Sequence, residues 1–214
     1  MILSGARKIS LPVSQEDQTD YAEEGRKLLQ RVNLSLDGKP ERYAAANAIF
    51  QHPTTHATLY VGNATAASQK SVLAELKDCR RIVFCQDGDG TKSFQSDPEF
   101  KYLDFPIGRW LRFVKREPQA VLDFFKSLFD FLDDELGQGN SVLIHCLAGA
   151  HRAGTAGVAS LMYLVGMGVE EATIAAKALR PAINPIGSFP QLLGLLEDGM
   201  RSSSFDKLNS PKIK

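Results

Sequence analysis

Short blocks of apolar residues alternate along this chain with longer stretches in which apolar positions recur at helical spacing. From His56 onward the order is regular. ATLYVGN reads as a strand ending at Gly62-Asn63, TAASQKSVLAELKD as a helix, RRIVFCQ as a short apolar strand and FKYLDFPI as another. EPQAVLDFFKSLFDFLDDEL follows as a long amphipathic helix, SVLIHC as a strand, and GTAGVASLMYLVGM as a helix of small and apolar residues. VEEATIAAKALRP and FPQLLGLLEDGM read as two further helices, parted by a stretch from Pro181 to Pro185. Strands alternating with helices predict an α/β fold, a central and mainly parallel sheet covered by helices on both faces.

Residues 1–55 read differently, as a partly helical N-terminal extension. Tyr21, Leu28, Leu29 and Val32 fall at helical spacing after the N-cap candidate Asp20, and ERYAAANAIF reads as a second helix after the turn-like Asp37-Gly38-Lys39-Pro40. Such helices are expected to pack on the back of a main domain spanning 56–200. The tail, 201–214, is polar and expected to fray.

Composition narrows the partners. The 214 residues carry 25 basic and 25 acidic side chains, so no net field recruits nucleic acid or an anionic membrane, and any anion site must be local. The three cysteines, Cys79, Cys85 and Cys146, lack CxxC spacing, against a disulfide framework or a structural zinc site. No apolar run reaches the length of about 18 residues that a membrane span needs. These features point to the cytosol, with the nucleus as the alternative.

One segment carries chemistry: His145-Cys146-Leu147-Ala148-Gly149-Ala150-His151-Arg152. A loop leaving a strand and entering a helix aims backbone N–H groups into one concave space above the positive helix end, a ready anion site. A thiol at the start of such a loop sits in positive potential, which favours a thiolate nucleophile. Arg152, six residues on, can fold back and hold two phosphate oxygens with its planar guanidinium. Together these describe a covalent phosphoryl-transfer site.

The pattern HCLAGAHR resembles the signature of cysteine-dependent protein tyrosine phosphatases. LYVGNATAAS at 59–68 and RPAINPIGSFPQLLGLLE at 180–197 are similar to the opening and closing segments of the dual-specificity branch. The resemblance covers about residues 56–200. It implies a single catalytic domain, no metal or other cofactor, a phosphorylated protein or peptide as substrate, and hydrolysis of phosphomonoesters through a phosphocysteine intermediate. Cys146 and Arg152 then take the catalytic positions. Leu147, Ala148, Gly149, Ala150, His151 and Arg152 form the phosphate-binding loop, and His145 tunes the thiolate from behind.

The match departs from the family in two places. The family's general acid is an Asp between a strand and the long helix, but Phe105 to Arg116 contains no carboxylate, and alignment puts Gly108 or Arg109 at that place. Asp104 and Glu117 flank the gap as weak candidates. The second departure is Ala153, where the family usually has a Ser or Thr that helps the cysteine leave; Thr155 is not expected to substitute. Loss of an acid costs about 10²- to 10⁴-fold in rate, so slow turnover is expected. The rival reading is a catalytically weak relative that binds phosphoproteins, or a phosphatase for a non-protein substrate. Arg109, Arg112, Lys115 and Arg116 around Trp110 read as a solvated face, with an anion-gripping rim, Trp110 stacking on the substrate, as the alternative. Cys85 ends a strand expected beside that of Cys146, so oxidation is expected to join the two reversibly.

Overall fold

The computed structural model describes residues 28–35, 40–87 and 90–202. The expected helix start at Asp20 and Tyr21, the turn residues Asp37 to Lys39 and the tail beyond 202 lie outside the described residues.

Five strands form one mixed sheet. β1 (Ala46–Gln51), β2 (Thr58–Gly62), β3 (Arg81–Phe84), β4 (Lys101–Asp104) and β5 (Val142–His145) lie in the order β1-β2-β5-β3-β4. β1 and β2 pair antiparallel; every other pairing is parallel. β5 is central, with all four residues buried, which is why SVLIHC reads as an unbroken apolar run rather than an alternating one. Its side chains still divide by the period of two. Val142 and Ile144 enter the larger core with Leu59, Val61 and Val83, while Leu143 joins Tyr60 and Ile82 on the opposite face.

The second face is covered by two short helices, α1 (Ala64–Ser68) and α2 (Lys70–Glu75). The sequence predicts one continuous helix here. The chain breaks it at Gln69, whose extended backbone ends α1 and begins α2, and Asn63 caps α1 by accepting from the Ala66 amide at 3.0 Å. The first face carries α3 (Pro118–Gly137), α4 (Arg152–Val165), α5 (Val169–Leu179) and α6 (Phe189–Ser202). α3 starts with Pro118 in its first turn after Glu117 and buries Val121, Phe125, Leu128, Leu132 and Leu136 along one stripe. α4 runs through the middle of the core. Its small residues let it approach the sheet: a Cβ on Gly157 would stand 2.7 Å from Val61 Cγ2.

The N-terminal expectation is corrected. ERYAAANAIF ends in a strand, not a helix: Ala46 pairs with Gly62 and Gln51 with Thr58, with a register shift between Ala48 and Phe50. Alanine-rich propensity favoured helix. Pairing with β2, and burial of Ile49 and Phe50 in the main core, outweigh it. Leu29 and Val32, on a 3-10 helix at Leu29–Val32, are buried in the same core.

Candidate active site

β5 delivers Cys146 to the edge of the core, and α4 begins at Arg152. The loop between them is held from outside by its carbonyls. Leu147 O accepts from the Ala64 amide at 3.1 Å, and Ala150 O from the Asn184 amide at 3.0 Å. His151 O accepts from both the amide and the hydroxyl of Thr155 at 2.8 and 2.7 Å. The Arg180 guanidinium donates to Gly149 O at 3.0 Å and to Ala148 O at 3.4 Å. Five consecutive carbonyls therefore face the scaffold. The amides of Leu147 to His151 donate to no protein acceptor among the described residues, which leaves them for an anion in the loop's interior.

Two residues make this turn possible. Gly149 has φ +67°, and a Cβ there would stand 2.4 Å from Gly62 O, so only glycine fits. Arg180, 1% exposed, also donates to Ala44 O at 3.0 Å and Asn47 Oδ1 at 2.6 Å, tying the loop to the chain ahead of β2. Burial draws its pKa below the usual arginine value, and Cys146 opposes that shift.

Around the thiol, His145 is buried with its ring edge-on to Phe84. Burial lowers its pKa to about 4, only partly opposed by the Cys146 main chain, so the imidazole is neutral at pH 7. Cys85 donates its amide to His145 O at 3.0 Å. Its thiol is pushed well above the usual range, by burial first and then by Cys146, with Arg152 opposing and Asp87 reinforcing. Cys79 lies on the other face, its thiol pushed up by burial to about 12. It is a core residue.

Neither expected acid pairs with Arg152 among the described residues. Asp104 Oδ2 pairs with Lys92 Nζ at 2.6 Å and its side chain is 66% exposed. Glu117 sits at the exposed start of α3 with no side-chain capping bond. The carboxylate beside Arg152 is Asp87, Oδ2 standing 3.7 Å from Nη1. Asp87 also lines a cleft of about 550 Å³ with Lys92, Asp104, Pro106 and Arg109. Trp110 is fully buried and donates Nε1–H to Ser188 Oγ at 3.0 Å, so it offers no stacking surface; Leu111 and Phe113 are the exposed apolar neighbours of Arg109, Arg112, Lys115 and Arg116. His151 Nδ1 is 2.7 Å from Asn184 O, which pins the ring to the rim. Ala153 is buried, and the Thr155 hydroxyl is committed to His151 O.

Nothing in the sequence points to Asp87 or Asn47 at this site, and Arg180, although it opens the segment RPAINPIGSFPQLLGLLE, carries no sign there of a bond to the loop. The spacing of Asp87 from Cys146 follows no motif, and only the pairing of Phe84 with His145 lays the loop after β3 beside the loop after β5.

An α/β domain on a mixed, mainly parallel sheet, with a cysteine at the end of its central strand and an arginine at the start of the next helix, is the architecture of a cysteine-dependent phosphatase. Residues 59–198 match the family model "Dual specificity phosphatase, catalytic domain". Dual specificity protein phosphatase 1 of Arabidopsis thaliana is 32% identical over 145 residues, 68% of each chain. Human dual specificity protein phosphatase 9 is 29% identical over 71% of this chain, which spans 37% of that protein. The crystal structure of human DUSP28 superposes with a TM-score of 0.58 at 19% identity, covering 77% of this chain and 99% of that one, a likeness of fold. The chain belongs to the dual specificity phosphatase family and is a cysteine-based protein phosphatase. Among the described residues, no single helix is long and apolar enough to cross a membrane.

Proposed function

We propose that Cys146 and Arg152 carry the reaction: hydrolysis of phosphotyrosine, and of phosphoserine or phosphothreonine, in protein substrates through a phosphocysteine. The observation behind this reading is the outward turn of the carbonyls from Leu147 to His151, with Cys146 at the loop's origin and Arg152 at its end. Cys146 Sγ attacks phosphorus. The loop amides and the Arg152 guanidinium bind the equatorial oxygens as charge builds in the transition state, and His145, neutral and buried, packs behind the nucleophile. The burial of all three cysteines as free thiols fits a reducing, cytosolic setting.

A second reading keeps the same pocket with weak turnover. It is favoured by the absence of a hydroxyl at Ala153 and by the commitment of Thr155 to His151 O, which leave the departing Cys146 thiolate without a hydroxyl donor from either residue. Single-turnover hydrolysis of an aryl phosphate separates the two. The phosphatase reading expects a stoichiometric burst from the wild type and none from Cys146→Ser. A wild type no faster than Cys146→Ser that still binds phosphopeptide would convert the assignment to a phosphoprotein-binding module.

A further inference from the structure

We propose that Asp87 is the general acid of this phosphatase, donating its proton to the leaving-group oxygen from the end of β3 rather than from the stretch ahead of α3. The inference rests on the assignment of Cys146 and Arg152.

Three observations converge on this carboxylate. Its Oδ2 stands 3.7 Å from Arg152 Nη1, beyond direct hydrogen-bond range, so it is not locked into a bidentate pair and lies within reach of a phosphate that the guanidinium holds. Its Oδ1 is buried and has no hydrogen-bond partner among the described residues. A buried carboxylate oxygen without a partner is costly, so no bond to the fold accounts for the placement of this carboxyl. Finally, Gly108 makes room for it. A Cβ on Gly108 would fall 2.0 Å from Asp87 Oδ2 and 3.0 Å from Arg152 Cδ. The space into which a side chain at 108 would project is filled by the Asp87 carboxylate.

The step balances. As Cys146 Sγ bonds to phosphorus, the P–O ester bond breaks, its electron pair leaves with the oxygen, and the Asp87 proton moves onto that oxygen to release a phenol or alcohol. Asp87, now a carboxylate, then takes a proton from water as the water oxygen bonds to phosphorus and the S–P bond breaks. Inorganic phosphate, the thiolate and the protonated carboxyl result.

The charged and titratable groups around Asp87 come from several elements: Arg152 on α4, Cys85 just past β3, and Lys92, Asp104 and Arg109 lining the same cleft. The test is a series of phosphomonoesters of graded leaving-group acidity, assayed from pH 5 to 8 with wild type, Asp87→Asn, Gly108→Ala and Cys146→Ser. For phenyl phosphate and phosphoserine peptide, Asp87→Asn is expected to lose about 10²-fold in kcat. For dinitrophenyl phosphate, whose leaving group needs no proton, the loss is expected to be less than about tenfold, and the decline of activity on the basic side of the profile disappears. Gly108→Ala leaves the carboxyl chemically intact but displaces it, and should show the same leaving-group dependence. A loss in Asp87→Asn that is equal across leaving groups, with a raised KM, would make Asp87 a positioning residue for Arg152 and overturn the proposal. So would wild-type behaviour in either variant while Cys146→Ser is inactive. Full activity in Cys146→Ser would instead overturn the assignment of the nucleophile.

Discussion

Replacing Arg180 with Met keeps an unbranched stem out to the Nε position and removes the donors. The guanidinium supplies four hydrogen bonds to acceptors at a buried junction: Gly149 O, Ala148 O, Ala44 O and Asn47 Oδ1. Hydrogen bonds from a charged group contribute about 1.5 kcal/mol each at the low end, so the four sum to about 6 kcal/mol before any offset. Two effects reduce it. The Ala148 contact is long at 3.4 Å, and the variant no longer bears the desolvation of a buried cation, the same burial that pulls the Arg180 pKa down. A net loss of about 3 kcal/mol is expected, which lowers Tm by about 6 to 12 °C in a chain of this size. The freed carbonyls of Ala148 and Gly149 also let the loop turn its amides away, so inhibition by inorganic phosphate should weaken together with stability. Urea unfolding and phosphate inhibition measure the two effects. A variant within about 1 kcal/mol of wild type, with unchanged phosphate inhibition, would refute the claim that Arg180 holds the loop's shape.

His145 gives a pH-dependent stability. Its pKa is about 4 when folded against 6.5 for a free imidazole side chain, so between these values the unfolded chain binds a proton that the folded one excludes, and stability falls as pH drops from about 6.5 to 4. The full effect is up to about 3 kcal/mol; urea unfolding at pH 7 and 4.5 should show it in the wild type and not in His145→Gln. Gly149→Ala forces a side chain to within 2.4 Å of Gly62 O at a positive φ, so phosphate affinity and thermal stability should both drop, and a Tm within 2 °C of wild type, by a rough tolerance, would count against the tight loop. Mild peroxide should link Cys85 to Cys146, and because the Cys85 thiol is held well above its usual range, the yield should rise as pH is raised. Peptide mass spectrometry that finds Cys146 only over-oxidised would reject the link.

Much of the fold was legible because parallel strands buried on both faces write themselves as apolar runs. SVLIHC, RRIVFCQ and ATLYVGN all form strands, and α3 through α6 fall where apolar spacing put them. Two elements were not legible. β1 carries a helix former's composition, and its strand form comes from pairing with β2, a partner across a turn. The break at Gln69 has no Pro or Gly to announce it.

The site divides the same way. Cys146 and Arg152 lie six residues apart on one loop, and local backbone geometry alone brings a strand-end thiol, its amides and a helix-start arginine together; a linear motif can hold all of that. Asp87 and Arg180 reach the loop by another route. The parallel pairing of β3 with β5 sets Asp87 beside Arg152, and the chain following α5 carries Arg180 beneath the carbonyls of Ala148 and Gly149. Their separation from Cys146 in sequence is set by the lengths of the helices and loops between, which vary freely without moving the strand ends. The sequence by itself determined the layered α/β class and the nucleophile's loop, because both depend on neighbours within a few residues. The tertiary structure alone decided the first strand, the clamp behind the loop and the carboxylate facing it, because each depends on which segments the sheet order brings together.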